Sequence, residues 1–221
     1  MLNIQVYVKT DGGTLNVRSA PTLSSTVLFK LDNGTRAEVL NGIDSATVAD
    51  GFHWVRYRGD VPGGWVAAEF LVFEKARAYI DSPRDGFLNV RSEPDGTIVD
   101  KLPTAPAGEL PTDTADNSFT PVFSEPIFKG RYNWVEVGFK RYVASEFLVY
   151  AKYPATVKND GGDVNVHSEP DGDIIITLPD GSLVYVFGDP ITTSFDEWVA
   201  IGLGCYVVLA NLDKTLMSPV G

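Results

Sequence analysis

The sequence predicts an all-β protein built from three tandem small β-barrels with almost no helix. A heptapeptide occurs three times, as LNVRSAP at residues 15–21, LNVRSEP at 88–94 and VNVHSEP at 164–170. Its copies start 73 and 76 residues apart, which indicates one repeated unit of about 75 residues. Each copy is flanked by short apolar segments bounded by Gly, Pro, Asn and Asp, a pattern typical of small barrels. No stretch holds a helical apolar period of useful length.

The repeats predict three domains, at residues 1–74, 75–151 and 152–221. The third domain is the most divergent, and the second carries a long loop insertion. From the leucine before the insertion to the next tryptophan the second domain has 32 residues, against 23 and 20 in the others. The inserted segment, within residues 103–123, is rich in Pro, Thr and Asp. It is either a tolerated surface insertion or a loop that contacts a partner.

The elements follow the same order in each unit. Apolar alternation on both sides of an Asp-Gly pair, as in VYVKTDGGTLNV, predicts an opening hairpin. A second hairpin is predicted after the Ser-x-Pro of the heptapeptide. The later segments predict a strand, a tight turn, a strand, a helical turn and a closing strand; they read FHWVRYRGDVPGGWVAAEFLVF, YNWVEVGFKRYVASEFLVY and DEWVAIGLGCYVVLANLDK.

Charge and composition exclude several functions. The net charge is −11, and residues 1–75, 76–151 and 152–221 contribute −1, −3 and −7. This acidity argues against nucleic acid, whose binding depends on Lys and Arg neutralising phosphates. No apolar run approaches the roughly 20 residues that span a bilayer, so no membrane insertion is expected. No secretory signal is visible either, which leaves a cytoplasmic location or delivery within a larger assembly as expectations.

No residue pattern indicates catalysis. The single cysteine, Cys205, lies in the apolar run LGCYVVL and is expected to be buried in a strand. A nucleophilic cysteine needs a nearby base, but the two histidines, His53 and His167, belong to other units or other segments of the repeat. Neither histidine has metal-ligand spacing to a second one. We therefore expect a non-enzymatic protein with no catalytic residue, no metal ligand and no cofactor.

The ordered motifs resemble the bacterial SH3-like (SH3b) domain family. The first unit combines LNVRSAPTLSSTVLFKLDNGTRAEVL with HWVRY and GGWVAAEFL. The second keeps LNVRSEP, NWVEV and SEFL, and the third keeps VNVHSEP and EWVAI but reads LANL in place of AEFL. The resemblance implies three tandem SH3-like β-barrels that bind peptides, including cell-wall stem and bridge peptides.

The tryptophan strands supply the candidate binding residues. Side chains alternate between the two faces of a strand, and we assign Val55 and its equivalents to the barrel core. Trp54, Trp134 and Trp198 then point to the opposite face. This position is similar to that of the ligand-stacking tryptophan of SH3 domains. The alternative is that the unit's own loop or a neighbouring barrel covers the ring.

Two of these tryptophans come with a second aromatic residue. The resemblance places Phe70 and Phe147 in the helical turn that borders an SH3 groove, whereas the third unit has Asn211 there. The predicted ligand-binding residues are therefore Trp54, Phe70, Trp134 and Phe147. For the third unit we expect a packing or docking role.

The heptapeptide itself is predicted to be structural. Its asparagine suits a turn or bulge, because a short amide bonds the local backbone. Arg18 and Arg91 could bind a carboxylate, but a partner within the same domain is the favoured prediction.

Two uses of such a chain remain open. One is recognition of peptidoglycan peptides, where several weak sites on one chain would gain avidity. The other is a structural or scaffold component of a virion, tail or surface appendage, whose barrels pack on protein partners. The expected partner is a peptide or protein ligand, and homo- or hetero-oligomers are open alternatives.

Overall fold

A computed structural model describes residues 3–59, 63–82, 84–104, 107–110 and 119–214. Within these residues the regular structure is β-strand, apart from four single-turn 3-10 helices. The all-β prediction is confirmed, and the three sheets are consistent with small SH3-like barrels. The 3-10 helices are Ile43–Ser45, Ala68–Phe70, Ser145–Phe147 and Leu209–Asn211.

The strands follow the chain in three similar series. The first series is β1 Asn3–Val8, β2 Thr14–Arg18, β3 Val27–Asp32, β4 Arg36–Leu40, β5 Thr47–Ala49, β6 Phe52–Arg58, β7 Trp65–Ala67 and β8 Leu71–Phe73. The second is β9 Ala76–Ile80, β10 Phe87–Arg91, β11 Ile98–Pro103, β12 Phe119–Val122, β13 Ile127–Lys129, β14 Tyr132–Gly138 and β15 Arg141–Ala144, with β16 Leu148–Val157 closing it. The third continues with β17 Val164–His167, β18 Ile174–Leu178, β19 Leu183–Thr192, β20 Glu197–Gly202, β21 Cys205–Val208 and β22 Leu212–Asp213.

The chain divides into two compact units, each assembled from separate segments. The first comprises Met1–Lys75, Arg91–Thr97 and Pro121–Val143. The second comprises Ala76–Val90, Ile98–Thr120 and Ala144–Gly221. The domain boundaries drawn from the repeats remain predictions.

In the first compact unit the strand order is β3-β2-β7-β6-β4-β1-β8, with β5 also paired to β6. The opening hairpin predicted from the Asp-Gly pair is wrong, because β1 pairs with β4 and β8 and not with β2. The physical reason is that the Asp-Gly turn only reverses the direction of the chain, whereas the hydrogen-bonding partners of β1 are β4 and β8. Residues 5–8 of β1 are buried without alternation, so both faces of this strand are covered. The hairpin here is β2–β3, whose connection contains the end of the heptapeptide.

The core of this sheet takes one or two residues from most of its strands, as the alternation predicts. Val55 of β6 is buried in it, and Tyr57 packs against it, which confirms the assigned core face of the tryptophan strand. The other buried members are Val6, Val8, Leu15, Val17, Leu31, Val39, Val66 and Ala68.

In the second compact unit the strands β18-β17-β21-β20-β19-β16 follow the same order as β3-β2-β7-β6-β4-β1 of the first. Strand β22 pairs with β16, just as β8 pairs with β1. Strand β16 is a single strand of ten residues that also pairs with β9 through its first three residues. It therefore runs across the predicted boundary at residues 151 and 152.

The remaining strands divide between the units. Strands β13, β14 and β15 are neighbours within the first compact unit, where Arg91 at the end of β10 pairs with Tyr142. Strands β10 and β11 are neighbours within the second. In all three series a 3-10 turn follows the second strand of the later hairpin, which confirms that part of the predicted element order.

Part of the loop insertion contacts the third series of strands within the second compact unit. The Gly108 N–H donates a hydrogen bond of 2.8 Å to the carbonyl oxygen of Leu203. Leu110 packs against the core that contains Cys205. Residues 105–106 and 111–118 of the insertion lie outside the described residues. At Gly108 and Leu110 the insertion therefore packs on the third series, and contact of this loop with a partner stays a prediction.

Candidate ligand-binding site

The heptapeptide supplies a local brace in every repeat. The Arg18 guanidinium donates a hydrogen bond of 2.8 Å to the carbonyl of Ser25, and Arg91 donates similarly to that of Gly96. His167 Nδ1 lies 2.7 Å from the carbonyl oxygen of Gly172. The predicted within-domain partner of the arginine is confirmed, and the histidine that replaces it keeps the same contact.

The predicted bulge also occurs, one position later than the asparagine. The pairing register shifts between Val17 and Arg18 and, in the third series, between Val166 and His167. Asn16 itself pairs with Lys30 inside the β2–β3 ladder.

The tryptophans are buried, which corrects the prediction that they stand on an open groove face. Trp54 is 2% exposed, and Trp134 and Trp198 are each 3% exposed. The Trp54 indole N–H donates to the carbonyl of Ala49, and Trp134 donates in the same way to Lys129, both at 3.0 Å. Each donor is thus satisfied by the hairpin that carries it, as burial of a polar group requires. A ring buried to this extent leaves little surface on which a ligand could stack.

A pocket of about 430 Å³ opens above Trp54. Both residues predicted for the first unit, Trp54 and Phe70, line it. Phe70 is 37% exposed, so the aromatic surface that a ligand reaches belongs to Phe70 and its neighbour Phe52. The complete lining is Thr10, Asp11, Gly13, Thr14, Leu15, Asn16, Arg18, Leu23, Phe52, Trp54, Ala67 and Phe70.

One wall of the pocket is the loop between β1 and β2. The Thr10 N–H donates to Asn33 Oδ1 at 2.9 Å, and the Thr10 hydroxyl donates to the Gly13 carbonyl at 2.6 Å. Gly12 has φ +87°, a conformation that favours glycine. The Asp-Gly-Gly sequence that suggested a hairpin is therefore the turn of a braced, pocket-lining loop.

A second part of the lining, Phe52 and Trp54, belongs to the β5–β6 hairpin. Its two-residue turn has Asp50 at φ +53° and Gly51 at φ +80°, the left-handed pair that a tight hairpin needs. The Asp50 carboxylate accepts a hydrogen bond of 2.7 Å from the Leu23 N–H. This bond attaches the pocket-lining part of the β2–β3 loop to the hairpin.

Two phenylalanines that line the pocket, Phe52 and Phe70, form its aromatic wall. Their ring centroids are 6.1 Å apart with an interplanar angle of 31°. Phe52 also meets Trp54 edge-on, at 6.2 Å. Beside the wall, Glu69 Oε1 accepts a hydrogen bond of 2.8 Å from the His53 N–H and lies 2.9 Å from His53 Nδ1. Burial acts to raise the pKa of Glu69, but the hydrogen bonds from His53 outweigh it and hold that pKa below its usual value.

The second series has a tryptophan and a turn phenylalanine at the equivalent positions, Trp134 and Phe147. Trp134 meets Tyr132 edge-on at 6.0 Å, and the Arg91 guanidinium lies over its ring at 5.5 Å. Phe147 is half-buried at the end of its 3-10 turn. Trp134 and Phe147 belong to different compact units, so their joint role in binding stays a prediction.

The third series departs from this arrangement. His167 meets Trp198 edge-on at 4.8 Å. Trp198 Nε1 is buried without a hydrogen-bond partner among the described residues, unlike the indoles of Trp54 and Trp134. Asn211 ends the 3-10 turn where the other series have phenylalanine.

Sequence reasoning missed Phe52, although a signal for it was present. An aromatic residue stands two positions before the tryptophan in the first two copies, as Phe52 and Tyr132. The third copy has Asp196 there, and it also has Asn211 in place of the turn phenylalanine. The two aromatic positions are therefore both filled or both lost. That correlation could have identified the aromatic wall.

Other kinds of site are not seen in the described part of the chain. Within it, no group of three or more His, Cys, Asp or Glu side chains could hold a metal ion. Among the same residues, none of the helices has the length and apolar character needed to cross a membrane. Burial, together with the nearby Glu109 charge, raises the pKa of the Cys205 thiol to about 11, which disfavours the thiolate that a nucleophile requires.

Comparison with known proteins finds a family model that covers most of the pocket-lining residues. Residues 13–72 match the family model described as Bacterial SH3 domain. The search of curated proteins finds no match. One similar solved structure is "Endolysin LysPBC5 CBD", at 13% identity over 67% of this chain and 93% of that chain, with a TM-score of 0.25.

Two further solved structures are similar at the same low level. An autolysin from Listeria monocytogenes aligns at 15% identity over 96% of this chain and 93% of that chain, with a TM-score of 0.27. NlpC2 from Trichomonas vaginalis aligns at 13% identity over 66% of this chain and 50% of that chain, with a TM-score of 0.25.

Proposed function

We propose that this chain is a non-enzymatic protein of three tandem SH3-like units that binds peptide-like ligands of the bacterial cell wall. The observation that carries the proposal is the pocket of about 430 Å³, which is lined mostly by residues of the segment that matches the bacterial SH3 domain model. Its volume lies in the range of roughly 300–1,000 Å³ typical of ligand pockets. The tandem arrangement is supported by the repeated heptapeptide and by the common strand order of the first and third series.

The lining favours a peptide with both apolar and charged groups. The aromatic wall offers apolar area, whereas Asp11 and Arg18 place one charge of each sign in the same pocket. Arg18 has five N–H donors, and the hydrogen bond to Ser25 uses one of them. Short peptides that carry free amino and carboxyl groups, such as peptidoglycan stem peptides, match this combination. The overall negative charge makes nucleic acid a poor alternative.

A second candidate function is a scaffold component whose units pack on protein partners. The observation that favours it is a set of exposed apolar residues at the hairpins before the tryptophan strands. Val48 is 68% exposed, Phe128 is 71% exposed and Phe195 is 86% exposed. Val48 and Phe128 occupy the same register position, one residue from the turn. Apolar side chains this exposed are typical of contact surfaces when they are contiguous.

The experiment that tests the proposal is co-sedimentation with purified peptidoglycan sacculi. Phe70→Asn introduces the residue of the third copy at an exposed position, so the fold is expected to survive. We expect wild-type protein to be retained and the variant to bind about tenfold more weakly, the size of effect typical of one aromatic contact residue. Phe128→Ala, which removes another exposed phenylalanine, should bind like wild type.

The alternatives give different results. Wild-type protein that fails to sediment with sacculi, and that forms a large defined oligomer lost in Phe128→Ala, would replace the proposal by the scaffold function. Release of soluble muropeptides from the sacculi by the wild type would contradict the non-enzymatic part.

A further inference from the structure

The His53–Glu69 contact occurs where a strand pairing ends. Strand β7 stops at Ala67, which pairs with Trp54 of β6. His53, one residue earlier in β6, has no β7 residue opposite it, and its N–H donates to the Glu69 carboxylate at 2.8 Å. The same oxygen lies 2.9 Å from His53 Nδ1. Because a carboxylate oxygen only accepts, the Nδ1 atom carries the proton in this contact.

This contact connects the chain neighbours of the two phenylalanines that form the aromatic wall. His53 directly follows Phe52 in β6, and Glu69 directly precedes Phe70 in the 3-10 turn. The turn is three residues long and has no side-chain hydrogen bond at its N-cap. A single-turn helix of this kind holds its own geometry weakly. The Phe70 carbonyl accepts a hydrogen bond of 2.9 Å from the Lys9 N–H, which anchors the turn to the loop after β1. The bonds to His53 add a second anchor, to β6 directly beside Phe52.

The three copies differ in a way that supports this role. Where both wall positions are aromatic, the Glu69 position is Glu, in the first copy and as Glu146 in the second. The third copy has lost both aromatics and has Ala210 at that position. The carboxylate thus occurs in the two copies whose sequence has an aromatic residue at both positions, and it is absent from the copy that has neither.

We propose that His53 and Glu69 are positioning residues for ligand capture, which hold Phe52 and Phe70 at the spacing of a preformed aromatic wall. The inference rests on the proposed function, since it assigns to the same pocket the residues that preorganise it. A wall ordered before binding spares the ligand the entropy cost of immobilising Phe70. Neither His53 nor Glu69 lines the pocket, so the pair acts through the two phenylalanines.

The test compares disrupting substitutions with conservative ones. Glu69→Ala removes the acceptor of both bonds, whereas Glu69→Gln keeps an oxygen that can accept both. His53→Ala removes only the side-chain bond, and His53→Asn introduces the residue of the second copy. The matched control is Glu125→Ala, which removes an exposed carboxylate and its ion pair with Lys75.

Two measurements are made on the full chain. The first is the nuclear Overhauser effect between the Phe52 and Phe70 rings without ligand, and the second is binding to purified sacculi. We expect Glu69→Ala to lose the ring contact and to bind about two- to tenfold more weakly, the range expected when one side chain must be ordered again on binding. Glu69→Gln and His53→Asn should restore both, His53→Ala should be intermediate, and Glu125→Ala should match wild type.

Failure of this inference is distinct from failure of the proposed function. An unchanged Phe52–Phe70 contact in Glu69→Ala overturns the positioning role, whatever the wild type binds. Loss of the contact with no rescue by Glu69→Gln overturns it as well. Absence of wild-type binding to sacculi overturns the proposed function, while the ring contact still decides whether the pair positions the wall.

Discussion

At the scale of single residues, equivalent positions in the repeats make the same kind of contact with different side chains. Arg18, Arg91 and His167 each contact a backbone carbonyl in the following loop. The tryptophans are less uniform, because the indole N–H is paired in the first two copies, whereas that of the third has no partner among the described residues. This difference gives the three tryptophans different energetic roles within one fold.

The indole difference predicts an ordering of stabilities. Trp54→Phe breaks the hydrogen bond to Ala49 and leaves that carbonyl without its donor, whereas Trp198→Phe breaks no such bond. We expect Trp54→Phe to lower the free energy of unfolding by about 1 kcal/mol more than Trp198→Phe does. Urea unfolding followed by circular dichroism measures both. Equal losses would mean that the Trp54 bond contributes nothing net.

At the scale of elements, the parts with local signals were predictable from sequence. The later hairpin and its 3-10 turn were predicted, since a tryptophan strand, a tight turn and an aromatic turn follow one another within about 20 residues. The opening hairpin was not, because the partners of β1 lie about 30 and 65 residues further along the chain. A turn sequence such as Asp11-Gly12 favours a reversal of direction without deciding which strands pair.

The tryptophan position shows the limit of periodicity as a guide to a site. Alternation correctly separates Val55 from Trp54, and it then assumes that the face opposite the core is open. In a barrel this small, the β5–β6 hairpin and the aromatic wall cover that face as well. Trp54 and Phe70 both line the pocket, but the Trp54 ring, which was expected to stack on ligand, is buried. That these residues bind a ligand stays a prediction.

The loop insertion is expected to protect the core around Cys205 through Leu110. Leu110 packs over the core of the third series, and Cys205 in that core is fully buried. Leu110→Ala should weaken this cover by about 1 kcal/mol, and so should raise the rate of Cys205 modification by a thiol reagent about fivefold. Leu28→Ala, which removes an exposed leucine of the first series, is the control. An unchanged rate would show that the described insertion residues do not protect the thiol.

At the scale of the whole molecule, each compact unit contains a long-range tyrosine–phenylalanine pair. Tyr7 and Phe123 meet edge-on at 5.0 Å in the first unit, and Tyr79 and Phe187 meet edge-on at 4.8 Å in the second. The Tyr7 hydroxyl also donates to Glu136 Oε2 at 3.0 Å. These pairs join residues more than 100 positions apart, which no local pattern in the sequence could have indicated.

The buried phenol predicts a pH dependence of stability. Desolvation, followed by the Glu136 charge, raises the pKa of Tyr7 well above its usual value of 10. The folded state then keeps this proton at a pH where the unfolded state has lost it, so stability falls as the pH rises above about 10. In Tyr7→Phe this contribution is absent, and the unfolding midpoint in urea should fall less between pH 8 and pH 11. Identical slopes for the two proteins would contradict the assignment.

Strand β16 determines how the chain can be cut and rejoined. Its first three residues pair with β9 and its later ones with β19, so a break at residue 151 would leave two sheet edges exposed. The turn between β8 and β9 spans only Glu74 and Lys75 and interrupts no strand. A fusion or a deletion made there preserves every strand, whereas the second and third copies cannot be exchanged as separate cassettes.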